Sequence, residues 1–144
     1  LHTAYRRQRQ MCIRDRVTNG NKVHSLSQDK NLKLNKHDDD YYYNAFRVPY
    51  NLAINKNKSS KEKQVLTEMM KFFSSLQKIS GGYTMSGKPL NKFQSTSISA
   101  PIFYASSISQ RWQTLHREQS FVLDYGSLNH NYYDDTLLVL VLFS

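Results

Sequence analysis

Residues 41–49 read Tyr41-Tyr42-Tyr43-Asn44-Ala45-Phe46-Arg47-Val48-Pro49, and three aspartates, Asp38, Asp39 and Asp40, come directly before them. Tyrosine offers a flat apolar face with a polar tip, carboxylates move protons, and arginine carries a rigid fork of donors. Together these groups are the materials of a carbohydrate-binding cleft. The alternative interpretation is an acidic loop leading into a buried helix, with Arg47 paired to a neighbouring aspartate.

The proline predicts where a helix begins. Pro49 has no N–H and clashes with a preceding helical turn, but it is tolerated in the first turn. We therefore expect a helix that starts near Phe46–Arg47 and ends at residues 55–58. Tyr50, Ala53 and Ile54 would share one face of it.

The clearest helix in the sequence covers residues 59–79. Ser59 and Glu62 have the spacing of a capping box, and Gly81-Gly82 is expected to close the helix. The spacing of its apolar residues predicts a buried stripe, made of Val65, Met69, Phe72, Phe73, Leu76 and Ile79.

Two further helices are predicted towards the end of the chain. One covers residues 98–108, with Ser99 as its cap and Pro101 in its first turn. Its small face would contain Ile98, Ile102, Ala105 and Ser109. The other covers residues 131–143 and is apolar nearly all round, which is typical of a helix buried on most sides.

The other segments are predicted to be irregular or remain ambiguous. Residues 17–37 are rich in Asn, Lys and Ser, contain the turn signal Asn19-Gly20, and are expected to be mostly loop. Residues 82–89 are expected to form a short turn or hairpin. The pattern of residues 111–118 fits no single element.

The predicted fold class is all-α, with about four helices and long connectors. The last helix has more apolar surface than so small a bundle can cover, and such helices usually lie inside a larger layered assembly. We therefore divide the chain into residues 1–16, a loop-rich segment 17–40 and the helical segment 41–144, which we expect to be part of a larger domain.

Residues 1–16 are set aside from this interpretation. Residues 6–16 can be back-translated as a transposase-type sequencing adapter read through in one frame, so we interpret residues 1–16 as adapter-derived. Without this segment, which carries five Arg and one Asp, the formal charge of +9 falls to +5. The only cysteine, Cys12, also lies in it, so no disulfide framework is expected.

The remaining charge leaves one alternative function open, a basic all-helical module that binds nucleic acid or an anionic surface. Such a module needs basic residues on one face, and only Lys56, Lys58, Lys61 and Lys63 cluster. We expect no nucleic-acid partner. We also expect no membrane span, because the longest apolar run, residues 137–143, is far shorter than the roughly 20 residues required.

Other chemistries lack their signatures. The histidines outside residues 1–16 have none of the spacings of a zinc site, and neither a glycine-rich phosphate loop nor a nucleophile elbow is present. We therefore expect no metal and no cofactor.

Three stretches of the chain resemble glycoside hydrolase family 8. Residues 43–49 are similar to the family's Tyr-Asp/Asn-Ala-x-Arg-x-Pro signature. Ile79-Ser80-Gly81-Gly82-Tyr83 resembles a Gly-Tyr turn that follows a long helix, and residues 131–138 resemble the closing helix. The resemblance implies the C-terminal part of an (α/α)6 barrel. It also implies an enzyme that cleaves β-1,4-linked polysaccharide, such as cellulose-like glucan or chitosan, with inversion.

The resemblance also implies roles for individual residues. Many members carry an aspartate as general base where this chain has Asn44, and an amide cannot accept a proton. The base would then come from Asp38, Asp39 or Asp40, with Asp40 preferred because it is nearest. The alternative is that all three aspartates are solvated loop charges.

Arg47 would hold the base or a sugar hydroxyl, and Tyr43 would lie at the cleavage site. Tyr41, Tyr42 and Trp112 would stack on sugar rings, although Trp112 fits the core equally well.

The general acid of the family is a glutamate near the N-terminal end, and none of Glu62, Glu68 or Glu118 matches its motif. We therefore expect this chain to be an inactive fragment of a secreted enzyme that is monomeric at full length.

Overall fold

The computed structural model describes residues 16–19, 22–25, 37, 40–126 and 131–144. Among these, side chains are described for residue 37 and from residue 40 onward, apart from Tyr125 and Gly126. Asp38 and Asp39, two of the predicted catalytic residues, lie outside the described residues.

The described chain is mostly helical, which confirms the all-α class at that level. Five α-helices follow one another, and short 3-10 turns at Tyr43–Ala45 and Gln110–Trp112 precede the first and fourth. The helices are α1 (Val48–Ile54), α2 (Ser60–Ser74), α3 (Thr96–Ser107), α4 (Gln113–Gly126) and α5 (Tyr132–Leu142).

Two antiparallel strands precede the helices in the described part of the chain. Strand β1 (Arg16–Asn19) pairs with β2 (Lys22–Ser25), with Asn19 opposite Lys22. The expectation that residues 17–37 are mostly loop is therefore wrong for this part. Of the turn signal Asn19-Gly20, Asn19 is the last residue of β1, and Gly20 lies outside the described residues.

Helix α1 begins where the proline predicts. Pro49 occupies the second position of the helix, and Val48, Pro49, Tyr50 and Ala53 are buried. The missing N–H of Pro49 costs nothing there, because the first N–H groups of a helix have no partner inside it.

Helix α2 has the predicted start and a different end. Ser59 Oγ accepts a hydrogen bond from the Glu62 N–H at 3.2 Å, and the Ser59 N–H donates to Glu62 Oε2 at 2.7 Å. The helix ends at Ser74, so Gly81-Gly82 do not close it. Its buried residues are Leu66, Met70 and Phe73, which rotates the core-facing stripe relative to the predicted one.

Helix α3 is the centre of the bundle and packs against α1, α4 and α5. It begins at Thr96, before the predicted start, so Pro101 lies in its second turn and Ser99 is buried inside it rather than capping it. Ile98, Ile102 and Ala105 are fully buried as predicted, whereas Ser109 is exposed. The buried small residues of α3, Ser97, Ala100, Ala105 and Ser106, allow its neighbours to approach closely.

Two core clusters meet on α3. The larger contains Phe46, Leu66, Met70, Phe73, Ile98, Ile102 and Leu115, and the smaller contains Tyr50, Ala100, Leu123 and Val141. Helix α5 buries Leu137 and Val141 but leaves Val139, Leu142 and Phe143 exposed. The described helices therefore cover one face of α5 and leave apolar side chains of the other face exposed.

Helix α4 contains most of residues 111–118, the stretch whose sequence pattern is ambiguous.

Within the described residues, no helix combines the length and the apolarity that crossing a bilayer requires.

Candidate functional site

Residues 41–47, here called the aromatic turn, are anchored by two buried rings. Phe46 is 1% exposed and Tyr41 is 6% exposed, and their centroids lie 5.5 Å apart. The Tyr41 ring also contacts Phe73 of α2, with centroids 5.6 Å apart. These anchors fix the turn on the bundle and leave its other side chains nearer to solvent.

Gly82 joins the aromatic turn to the segment that follows α2. The Tyr41 N–H donates to the Tyr83 carbonyl at 2.8 Å, and the Tyr83 N–H donates to the Tyr41 carbonyl at 2.9 Å. Gly82 has a φ of +141°, and a Cβ built on it would lie 2.5 Å from Cδ2 of Tyr42. Only glycine fits here, because its backbone lies directly against the Tyr42 ring.

The first turn of α5 contacts the same place. The Tyr133 hydroxyl donates to the Tyr43 carbonyl at 2.6 Å, and the centroids of the two rings lie 5.6 Å apart at 68°. The three stretches on which the family resemblance rests therefore meet at the aromatic turn, although they are separated by tens of residues in sequence.

Four rings form a continuous series along this surface, here called the aromatic row. His37 and Tyr42 have centroids 5.0 Å apart, Tyr42 and Tyr43 are 4.6 Å apart, and Tyr43 continues to Tyr133. Burial, followed by the neighbouring Tyr43, raises the pKa of Tyr42 above its usual value of 10.0. Tyr42 is therefore a neutral hydrogen-bonding group at physiological pH.

The row is most open at Tyr43. This side chain is 44% exposed, whereas Tyr42 and Tyr133 are half-buried. An exposed ring held on both sides by other rings is a pre-formed apolar platform. Sugar rings, which have an apolar face and a polar rim, are suited to such a platform.

Arg47 ends the aromatic turn with an unsatisfied donor. The side chain is half-buried, and its Nε is buried without a hydrogen-bond partner among the described residues. Buried polar groups of native proteins nearly always have a partner. This Nε is an exception, and because it is closed to solvent it does not meet a bound molecule, whereas Asn44 lies exposed on the same turn.

Asp40 is paired within its own loop. Its Oδ2 lies 2.8 Å from Nδ1 of His37, and its N–H donates to the His37 carbonyl at 3.1 Å. The side chain of Asp40 is 17% exposed and that of His37 is 36% exposed. The more accessible titratable group of this pair is therefore His37, which sequence reasoning passed over because no metal-type spacing involves it.

Two of the aromatic residues proposed from the sequence lie elsewhere. Tyr41 belongs to the core, and its burial leaves it no open face for a sugar. Trp112 is half-buried against the larger core cluster, with the Arg111 guanidinium 4.8 Å from its ring centroid. Tyr133, which the sequence points to only as part of a helix, is the ring that supports Tyr43.

The glutamates are not part of the aromatic row. Glu62 caps α2, Glu68 pairs with Lys71 at 2.7 Å, and Glu118 is exposed on α4. Among the described residues, no group of three His, Cys, Asp or Glu is placed to hold a metal ion.

The lysine cluster of the alternative function is partly committed to structure. Lys58 Nζ donates to the Ala53 carbonyl at 2.8 Å and to the Asn55 carbonyl, at the end of α1. Lys56, Lys61 and Lys63 are exposed. The cluster thus offers fewer open charges than its sequence indicates.

No protein-family model, no curated protein and no solved structure matches this chain.

Proposed function

We propose that this chain is part of a glycoside hydrolase acting on β-1,4-linked polysaccharide, and that the aromatic row is its sugar-binding surface. The observation that carries the proposal is the packing of Tyr43 on Tyr133, which brings residues of the aromatic turn and of α5 into one platform. Two of the three stretches that resemble family 8, residues 43–49 and 131–138, contribute to this platform.

The apolar half of the interaction rests on Tyr43. Its ring is accessible, and its backbone carbonyl is held by the Tyr133 hydroxyl. A side chain that is already ordered loses little conformational entropy when a ligand binds. A pyranose lying on this face would bury its C–H groups against a fixed ring.

The polar half rests on Arg47 and Asn44. The guanidinium presents several donors in a fixed plane, which suits recognition of an oxygen acceptor. The Asn44 amide can both donate to and accept from sugar hydroxyls. Tyrosine rings suit the apolar C–H face of a sugar, and amide and guanidinium groups suit its hydroxyl groups, so this combination of side chains matches a polysaccharide.

The larger assembly is also part of the proposal. We propose that the helices are the C-terminal part of an (α/α)6 barrel in a secreted enzyme, which is monomeric at full length. An inverting mechanism needs an acid and a base about 6.5–9.5 Å apart. Since Glu62, Glu68 and Glu118 do not belong to the row, we propose that the acid is supplied by another segment of the parent protein.

Titration of cellohexaose and chitosan hexamer into the 144-residue chain, followed by NMR, tests the binding site. At least one of the two should shift the Tyr43 and Tyr133 ring signals, whereas maltohexaose, with α-1,4 linkages, should not. Tyr43→Ala should weaken binding about tenfold, equivalent to about 1.4 kcal/mol.

The matched control is Phe121→Ala, which removes a ring that is 60% exposed on α4. It should leave the sugar affinity unchanged. Absence of any shift with either β-1,4 oligosaccharide, or equal losses from Tyr43→Ala and Phe121→Ala, would overturn the proposal.

A second prediction concerns catalysis. The 144-residue chain should release no reducing sugar from carboxymethyl-cellulose or chitosan above the blank, because no acid partner belongs to the row. Turnover by the chain would show that the assignment of the acid to another segment is wrong.

A further inference from the structure

We infer that His37, rather than Asp40, is the proton acceptor at the end of the aromatic row, and that Asp40 is its positioning residue. This inference rests on the proposed function, because it names the group that would face the ligand or its attacking water. It changes the role that the sequence assigns to Asp40.

The hydrogen bond between His37 and Asp40 determines which imidazole nitrogen carries the proton. Asp40 Oδ2 is 2.8 Å from His37 Nδ1, and an ionised carboxylate only accepts hydrogen bonds. Nδ1 therefore carries the proton, and in the neutral ring the lone pair is on Nε2. A carboxylate on one nitrogen that leaves the other basic is the usual arrangement of a working histidine.

One backbone contact and one ring contact accompany this hydrogen bond. The Asp40 N–H donates to the His37 carbonyl at 3.1 Å, and the imidazole lies against Tyr42 with centroids 5.0 Å apart. Asp40 and Tyr42 are the described titratable groups in contact with it, and Asp38 and Asp39 adjoin it in sequence. The imidazole is thus oriented by its neighbours while its side chain is 36% exposed.

Asp40 is less suited to be the base itself. One of its oxygens is occupied by His37, and its side chain is about half as exposed as that of His37. If Asp40 took the proton, the carboxylate that accepts from His37 Nδ1 would lose its charge. Transfer to His37 Nε2 instead leaves an imidazolium beside a carboxylate, which stabilises the charge that forms.

In the hydrolysis the proton balance is as follows. A water molecule gives a proton to His37 Nε2 while its oxygen forms a bond to the anomeric carbon. The glycosidic bond breaks, and the leaving oxygen takes a proton from a carboxylic acid of the parent enzyme.

The first test measures the tautomer of His37 by nitrogen-15 NMR of the ring at a pH where it is neutral. The wild-type chain should show the Nδ1–H form, and Asp40→Ala should shift it towards the Nε2–H form. His116 is an internal control, because its Nδ1 lies 3.0 Å from the Phe103 carbonyl and should not respond. An Nε2–H ring in the wild type, or no response to Asp40→Ala, overturns the inference.

The second test measures sugar affinity in a double-mutant cycle. His37→Ala and Asp40→Ala should each weaken binding of the oligosaccharide that shifts Tyr43, by about fivefold, the usual scale of one hydrogen bond. The double variant should lose no more than either single variant, since Asp40 acts through His37. Independent, additive losses would overturn the positioning role.

The outcomes separate the two proposals. A sugar that shifts Tyr43 but leaves the His37 ring and the affinity of His37→Ala unchanged overturns the inference and leaves the binding site standing. A chain that binds neither oligosaccharide overturns the proposed function and the ligand role of His37 together, whatever the tautomer.

Discussion

Gly82 is the residue through which the segment after α2 reaches the aromatic turn. Its positive φ disfavours any side chain, and the space where a Cβ would lie is already occupied by the Tyr42 ring. Both conditions arise because the Tyr41–Tyr83 backbone pairing brings two segments into direct contact.

Gly82→Ala should lower the free energy of unfolding by about 2 kcal/mol or more, because it adds backbone strain to a steric clash. Urea denaturation followed by circular dichroism measures this. Gly87→Ala is the control, since Gly87 also has a positive φ but its nearest neighbour is Phe72 Cε2 at 3.2 Å, the edge of a side chain that can shift. A loss for Gly82→Ala no larger than for Gly87→Ala would contradict the clash.

At the scale of one element, the start of α2 is determined by residues within a single turn. Its capping box involves only Ser59 and Glu62, and the hydrogen bond from the Ser59 N–H lowers the pKa of Glu62 below its usual value of 4.5. Since the folded chain favours the ionised carboxylate, this contribution is present above the usual pKa and is lost as the pH falls through the lowered one.

We therefore expect the stability of the wild-type chain to decrease between about pH 5 and the lowered pKa of Glu62 by more than that of Glu62→Gln. The glutamine keeps the acceptor oxygen but does not titrate. Thermal unfolding at a series of pH values compares the two chains. Parallel pH profiles would show that the cap does not depend on the charge of Glu62.

Helix α3 depends on another element for its cap. Ser95 makes no side-chain capping bond, and the Ser97 N–H instead donates to Oδ1 of the buried Asp134 of α5 at 3.0 Å. A carboxylate at a helix N-terminus is favoured by the N–H groups and by the helix dipole.

Asp134→Ala should lower the free energy of unfolding by about 1–3 kcal/mol, because it leaves a buried donor unpaired. Asp124→Ala, which removes the same charge from an exposed position on α4, should change it by less than about 0.5 kcal/mol. Equal effects of the two substitutions in urea denaturation would show that charge, not the cap, is responsible.

At the scale of the whole molecule, α5 has one buried face and one exposed face. Leu137 is 3% exposed and Leu142 is 61% exposed on the same helix. The inner face joins the core, while the outer face contributes apolar surface that the described helices do not cover. Apolar patches of this kind usually mark contacts with other surfaces.

Leu142→Glu should change the free energy of unfolding by less than about 0.5 kcal/mol, because the side chain is already largely in water. Leu137→Glu should prevent folding, since it buries an unpaired charge. Circular dichroism and thermal unfolding compare the two variants. Unfolding of both would show that the outer face is covered in solution.

The sequence predicts best what neighbouring residues control. The start of α1 follows from Pro49, and the start of α2 follows from Ser59 and Glu62. The sequence is a poorer guide to the end of α2, to the start of α3 and to which aromatic rings are exposed. Tyr41 and Tyr43 look alike in sequence, yet one lies in the core and the other on the surface.

The sequence by itself thus determined the helical class, the first turns of two helices and the aromatic turn as the place to look for a site. Tertiary structure alone decided that Asp134 caps α3, that Gly82 lies against Tyr42 and that Tyr133 supports Tyr43. The physical reason is range. Caps and proline positions depend on residues within one turn. The partners in these three contacts are separated in sequence by 37 positions (Ser97 and Asp134), by 40 positions (Tyr42 and Gly82) and by 90 positions (Tyr43 and Tyr133), and only the packed chain brings them together.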